Sequence, residues 1–117
     1  MATGTLVVFD PSGIEPAINS PFFAGVVEGN PQTQTVRLYG GRDVGTSAGI
    51  WRATKGTFKM DYQVWEFCHV VSGRCVITPA GGAAVTFGSG DSFICEKGLQ
   101  GTWQILEDMT KHFVINF

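Results

Sequence analysis

The sequence predicts an all-β, antiparallel fold, a sandwich or barrel of short strands, and three observations lead there. No apolar pattern of helical period survives for three turns anywhere. Short runs rich in Val, Ile, Phe, Thr and Trp follow one another instead, the composition that suits a pleated, half-buried surface. The chain has sixteen glycines, most of them between these runs, too many for a helical chain and well placed for tight turns.

In chain order the strand-like runs are Thr5–Phe9, Thr35–Tyr39, Ala48–Ala53, Thr57–Tyr62, Glu66–Ser72, Arg74–Thr78, Ala84–Phe87, Ser92–Cys95, Thr102–Leu106 and Lys111–Asn116. Turn chemistry separates several of them: Ser72-Gly73, Pro79-Ala80-Gly81-Gly82 and Gly88-Ser89-Gly90-Asp91. Residues 10 to 34 read differently. Four of the five prolines fall there (Pro11, Pro16, Pro21 and Pro31) with little periodicity. The expectation is a single domain, with residues 1–34 an arm wrapping a barrel formed by 35–117. Closely spaced short strands of this kind close into a sandwich or barrel.

Charge excludes some partners. Eight basic and ten acidic residues are scattered along the chain, so no Lys/Arg cluster could neutralise several phosphates, and nucleic acid is not expected. Neither a signal peptide nor a membrane span is expected, because no window is long and apolar enough. Cys68, Cys75 and Cys95 are odd in number and form no CxxC pair, which points to buried free thiols in a reducing, cytoplasmic compartment.

Five segments in order resemble the cupin superfamily. They are Glu28-Gly29-Asn30-Pro31-Gln32-Thr33, then Ala48-Gly49-Ile50-Trp51 with Thr54-Lys55-Gly56, then Glu66 through Gly73, then Gly88 through Phe93, and finally Gly101 through Glu107 with a later Lys111. The likeness is to small cupins related to the ureidoglycine aminohydrolase cupin domain and the ethanolamine-utilisation cupin. It implies a double-stranded β-helix, the RmlC-like jelly roll, in which Trp51 and Phe67 are buried.

Metal-binding cupins carry two His as H-x-H, a Glu a few residues later and a third His further on. On the motif spacing, the His positions fall here at Met60, Tyr62 and Gly101, and Glu66 alone of the four ligands remains. His69 lies an odd step from Glu66, and His112 an odd step from Lys111, so alternation turns both away from an inward Glu66 and Lys111. No metal and no other cofactor is therefore expected.

If motif positions transfer, Phe58, Met60, Tyr62, Glu66, Cys68, Gly101, Trp103 and Lys111 line the cavity, with Gly101 opening room beneath Trp103. Two functions follow. One is a metal-free module binding a small polar metabolite. The other is an enzyme of the ureidoglycine-aminohydrolase-like or carbohydrate-modifying type, with Glu66 and Tyr62 as acid–base groups and Lys111 a further catalytic candidate. An unpaired buried carboxylate is costly, so Glu66 needs a cation, and Lys111 reaches it if Phe113 and Ile115 face inward. A homodimer is expected, with the arm and the apolar stretch Pro21–Val27 covering a sheet edge.

Overall fold

The computed structural model describes residues 4–18 and 23–117, and in these the strand is the only extended regular element. Nine strands follow in order: β1 Ala17–Ile18, β2 Phe23–Glu28, β3 Thr33–Gly41, β4 Thr46–Ala53, β5 Gly56–Asp61, β6 Trp65–Pro79, β7 Val85–Gly88, β8 Ser92–Cys95 and β9 Gln100–Asn116. The helical content among the described residues is a 3-10 turn at Arg42–Val44. No helix among them is long and apolar enough to cross a membrane.

Two long strands organise the molecule. β9 pairs antiparallel with β6 along nearly its whole length. On its other edge it pairs first with β5 through residues 100–105 and then with β4 through residues 109–116. β6 likewise takes β8 at one end and β7 at the other. β3 and β1 extend the sheet beyond β4, and β2 extends it beyond β5. All pairings are antiparallel, and the sheet folds over midway along β6 and β9 into two facing layers. Contacts across the layers show this closure: the ring of Trp103 lies 5.8 Å from that of Trp51 and 5.6 Å from that of Phe93. This is the double-stranded β-helix.

The fold-over is written into β6. Its buried residues are Glu66, Cys68 and Val70 in the first half, then Cys75 and Ile77 in the second. The alternation changes phase by one residue between them, which requires an extra residue in the ladder. The register shifts at Ser72, Gly73 and Arg74 supply it. Gly73 has φ +87°, and a Cβ there would overlap the Asp108 carbonyl oxygen. Ser72-Gly73, expected as a chain reversal, is therefore a bulge inside one continuous strand. Thr102–Leu106 and Lys111–Asn116 similarly belong to the single strand β9. The turns at residues 79–82 and 88–91 are present, closed by Gly82 N–H to Pro79 O at 2.9 Å and Asp91 N–H to Gly88 O at 3.0 Å.

The N-terminal region departs from expectation in two ways. Thr5–Phe9 is not a strand. It runs along the outside, where the ring of Phe9 meets that of His112 edge-on at 5.1 Å. Conversely, Phe23–Glu28 pairs with β5, although a proline-rich neighbourhood without clear alternation gave no strand signal. Of the stretch Pro21–Val27, Pro21 and Phe22 lie outside the described residues.

Between the layers Trp103, Ile105, Met109, Val70 and the three cysteines are almost completely buried. Trp51 is buried with them, whereas Phe67 is half-buried on the outer face, one position out of phase with Glu66 and Cys68.

Candidate functional site

Inward alternation on three strands gathers the polar core. β6 contributes Glu66 and Cys68, β9 contributes Lys111, and β4 contributes Trp51. Tyr62 follows β5 directly. Its backbone is fixed by its N–H to Leu99 O at 2.9 Å and by Gly98 N–H to its own carbonyl at 2.7 Å. The Tyr62 hydroxyl then donates to Glu66 Oε1 at 2.7 Å. Lys111 Nζ donates to both Glu66 oxygens, at 3.2 and 3.1 Å, and to Cys68 Sγ at 3.4 Å. The ammonium also sits 4.6 Å from the Trp51 ring centre and 4.4 Å from that of Trp103. Carboxylate, sulfur and two aromatic faces thus replace the water lost at a residue only 3% exposed.

The meeting of Glu66 and Lys111 is not a simple cross-strand pairing. Val70 lies opposite Lys111, and Ile115 lies opposite Glu66. The charges meet because both side chains lean along the strands, which a long lysine stem allows.

Burial pushes the Tyr62 phenol well above its ordinary value, and the adjacent Glu66 charge adds to the effect. Burial pushes the Cys68 thiol well up too, reinforced by its hydrogen bond with Cys95. For Lys111 burial acts downward, but the negative groups against it outweigh burial and hold its pKa above the usual lysine value. Cys68 keeps its proton, so Glu66 is the partner that acts near neutral pH. The arrangement is an ammonium–carboxylate pair with a neutral phenol as hydrogen-bond donor.

Two spaces adjoin it. An inner cavity of about 20 Å³ is lined by Thr35, Trp51, Tyr62, Glu66, Lys111, Phe113 and Ile115. It has room for about one water-sized group. An outer cleft of about 720 Å³ shares Thr35, Phe113 and Ile115 with it and is completed by Ile14, Glu15, Ala17, Arg37, Arg42, Ser47 and Phe117.

Of the residues expected in the pocket, Tyr62, Glu66 and Lys111 line the inner cavity, and Phe58, Met60, Cys68 and Trp103 are packed into the core. Gly101 pairs with Met60 across β5 and β9. It opens no space: at φ +151° its backbone presses on β6, and a Cβ would overlap the Thr78 carbonyl oxygen. The glycine serves close strand approach rather than volume. The sequence reading did not find Thr35, Phe113 or Ile115 as cavity walls, or Trp51 as one face of the lysine site. For Trp51 a signal existed, since it shares the inward phase of its strand with Ala53.

The donor set does not fit the metal of a metal-binding cupin. Lys111 occupies both Glu66 oxygens, so a metal ion there would meet an ammonium at contact distance. None of Met60, Tyr62 and Gly101, the positions that motif spacing assigns to imidazoles, carries one. His69 and His112 face each other across β6 and β9 on the outer side. His69 Nδ1 lies 2.7 Å from Ser92 Oγ. Among the described residues no three His, Cys, Asp or Glu side chains converge to hold a metal ion.

Comparison with known proteins agrees with this architecture. EutQ of Clostridium difficile superposes with a TM-score of 0.65 at 18% identity, over 74% of this chain and 68% of that one. A DUF861-family protein of unknown function from Pseudomonas syringae gives a TM-score of 0.76 at 18% identity, over 92% of this chain but only 46% of its own. Ectoine synthase from P. lautus gives 0.64 at 18% identity, over 72% and 63%. At these identities the likeness is one of fold. No curated protein matches the chain. The model of the EutQ-like cupin domain matches residues 40–113, from the end of β3 to the inward face of β9 that carries Lys111, and the chain belongs to that family.

Proposed function

We propose that this cupin is a metal-independent binding module, holding a small polar metabolite in the cleft at the open end of its barrel. The observation that supports this most is the Glu66–Lys111 pair, hydrogen-bonded by Tyr62 and lining a cavity that shares walls with a much larger cleft. Convergent polar groups at the base of a mostly apolar concavity are the usual form of a small-molecule site. Acid–base chemistry of the ureidoglycine-aminohydrolase type is less favoured. A phenol whose pKa is raised by burial keeps its proton near neutral pH and acts as a hydrogen-bond donor. Buried free thiols at Cys68, Cys75 and Cys95 suit a reducing, cytoplasmic setting. Exposed Leu6 and Val8 suit cover by a second copy in a homodimer.

The test is a thermal-shift screen of small polar metabolites against chelator-dialysed protein, with hits repeated on Lys111→Met. The expected result is a saturable stabilisation that survives the chelator and is weakened in the variant, measured against the variant's own ligand-free melting temperature. Stabilisation that appears only after adding Mn, Fe, Ni or Zn would overturn the reading.

A further inference from the structure

The walls of the outer cleft carry more information than its volume. Thr35 Oγ1 is buried and has no hydrogen-bond partner among the described residues. A buried hydroxyl left unpaired is destabilising, so such an atom marks a place where a partner belongs. Thr35 lines both the inner cavity and the outer cleft. The space beside it accepts about one small polar group, such as a hydroxyl.

Two residues further along β3, on the same face, comes Arg37, about 7 Å away along the strand. Arg37 lines the cleft, with its guanidinium beside Gly41. The ion pairs among the described residues are Arg74–Glu107 and Lys111–Glu66, so no carboxylate stands within ion-pair distance of Arg37, although that of Asp43 is its neighbour beside Gly41. Arg42 lines the same cleft, its guanidinium 4.6 Å from the Phe117 ring centre. That stacking occupies a face and leaves the N–H edges free to donate. Glu15, from the arm, is the opposing charge on the lining, within ion-pair distance of neither arginine. On the lining two arginines stand against one carboxylate, and neither is ion-paired to Glu15 or to the Asp43 beside Arg37, which leaves both guanidinium groups open to an anion. The same lining carries Phe113 and Ile115, apolar walls that suit a short carbon skeleton better than an inorganic anion.

We infer that the cleft is a binding site for a small hydroxy acid, with its carboxylate on Arg37 and Arg42 and its hydroxyl on Thr35. The inference rests on the binding reading above and names its ligand class. Recognition is two-ended. The guanidinium forks match the planar carboxylate, and the orphan hydroxyl of Thr35 sets the depth to which the other end penetrates. Glu66 and Lys111, already satisfied by each other, line the inner cavity that shares Thr35 with the cleft, and need not break their pair to admit the ligand.

Calorimetric titration of the full chain at low salt tests it with lactate, glycolate and hydroxybutyrate. Lactamide serves as the uncharged counterpart and propionate as the counterpart lacking the hydroxyl. At least one hydroxy acid is expected to bind saturably, with the amide about tenfold weaker or more, the cost of a charge-assisted contact. Arg37→Gln, at an exposed position, should weaken the acid about tenfold without moving the melting temperature. Thr35→Val should remove the advantage of lactate over propionate. Equal binding of acid and amide, or an Arg37→Gln variant that binds like the parent, overturns the inference. If no hydroxy acid binds while the metabolite screen finds a neutral or cationic ligand that needs Lys111, the ligand class is wrong and the binding reading stands. If neither binds, both fall.

Discussion

Lys111 and Glu66 show what single residues decide in this barrel. Each is nearly sealed from solvent, and each is tolerable there only because the other is present. Removing one partner of a buried pair costs about 3–5 kcal/mol, because the remaining charge is left without compensation. Glu66→Gln and Lys111→Met should each lower stability by about that much in urea denaturation. The double variant should cost clearly less than the sum. Additive losses would show that the two charges do not act as a pair. The same burial sets the alkaline limit. Tyr62, Cys68 and Cys75 have folded pKa values above their unfolded ones, Cys75 at about 11. Lys111 is raised as well. In each case the folded state holds its proton more tightly, so the stability is present below the unfolded pKa and is lost as pH rises above it. Cys95 is lowered and opposes the trend. Melting temperature should therefore fall steadily from about pH 9 upward, starting with the thiols and steepening through the tyrosine and lysine range. A flat profile to pH 11 would contradict the buried positions of these groups. On the acid side His112 behaves oppositely. Burial and the neighbouring His69 lower its pKa, so its contribution is present above 6.5 and declines as pH drops toward the folded value.

At the scale of elements, legibility followed periodicity. Inward Glu66 and Cys68, and Lys111 in phase with Phe113 and Ile115, could be read because alternation on a strand is a strict rule. The ladder opposite Lys111 could not be read, since which residues face one another across β6 and β9 depends on where the bulge falls. Ser72-Gly73 carries the same two residue types whether a chain reverses or bulges. The deciding fact is the partner strand, which continues unbroken past it. Phe23–Glu28 was illegible for another reason: its pairing has two register shifts, so no clean period survives. Two glycines in these long strands test the packing. Gly73→Ala and Gly101→Ala should each destabilise by about 2 kcal/mol or more, because a Cβ meets backbone oxygen at a φ that L-residues avoid. Chemical denaturation reads this directly, and wild-type stability in either variant would mean that the strands do not approach as described.

For the whole molecule, the closing of two layers on one another explains why several residues expected to line a pocket are packed into the core. Motif spacing identifies which residues face inward, but how much of the interior is filled depends on every side chain meeting there. Trp103, Met60 and Phe58 fill the centre, so the open volume lies nearer the rim, among Thr35, Arg37 and Phe113. Those residues carry no motif and could be found only once β3, β4 and β9 stood side by side. The long strand β9 has a further consequence, for how the chain is made. Each of its partners, β4, β5 and β6, is made before it, and each meets β9 only after β9 has left the ribosome. Until then β6 exposes one bare edge with Val70, Cys75 and Ile77 uncovered, a surface that invites non-native pairing. Nascent chains stalled with β9 still in the exit tunnel should be digested throughout by protease. Resistance should arrive in one step once Asn116 is free.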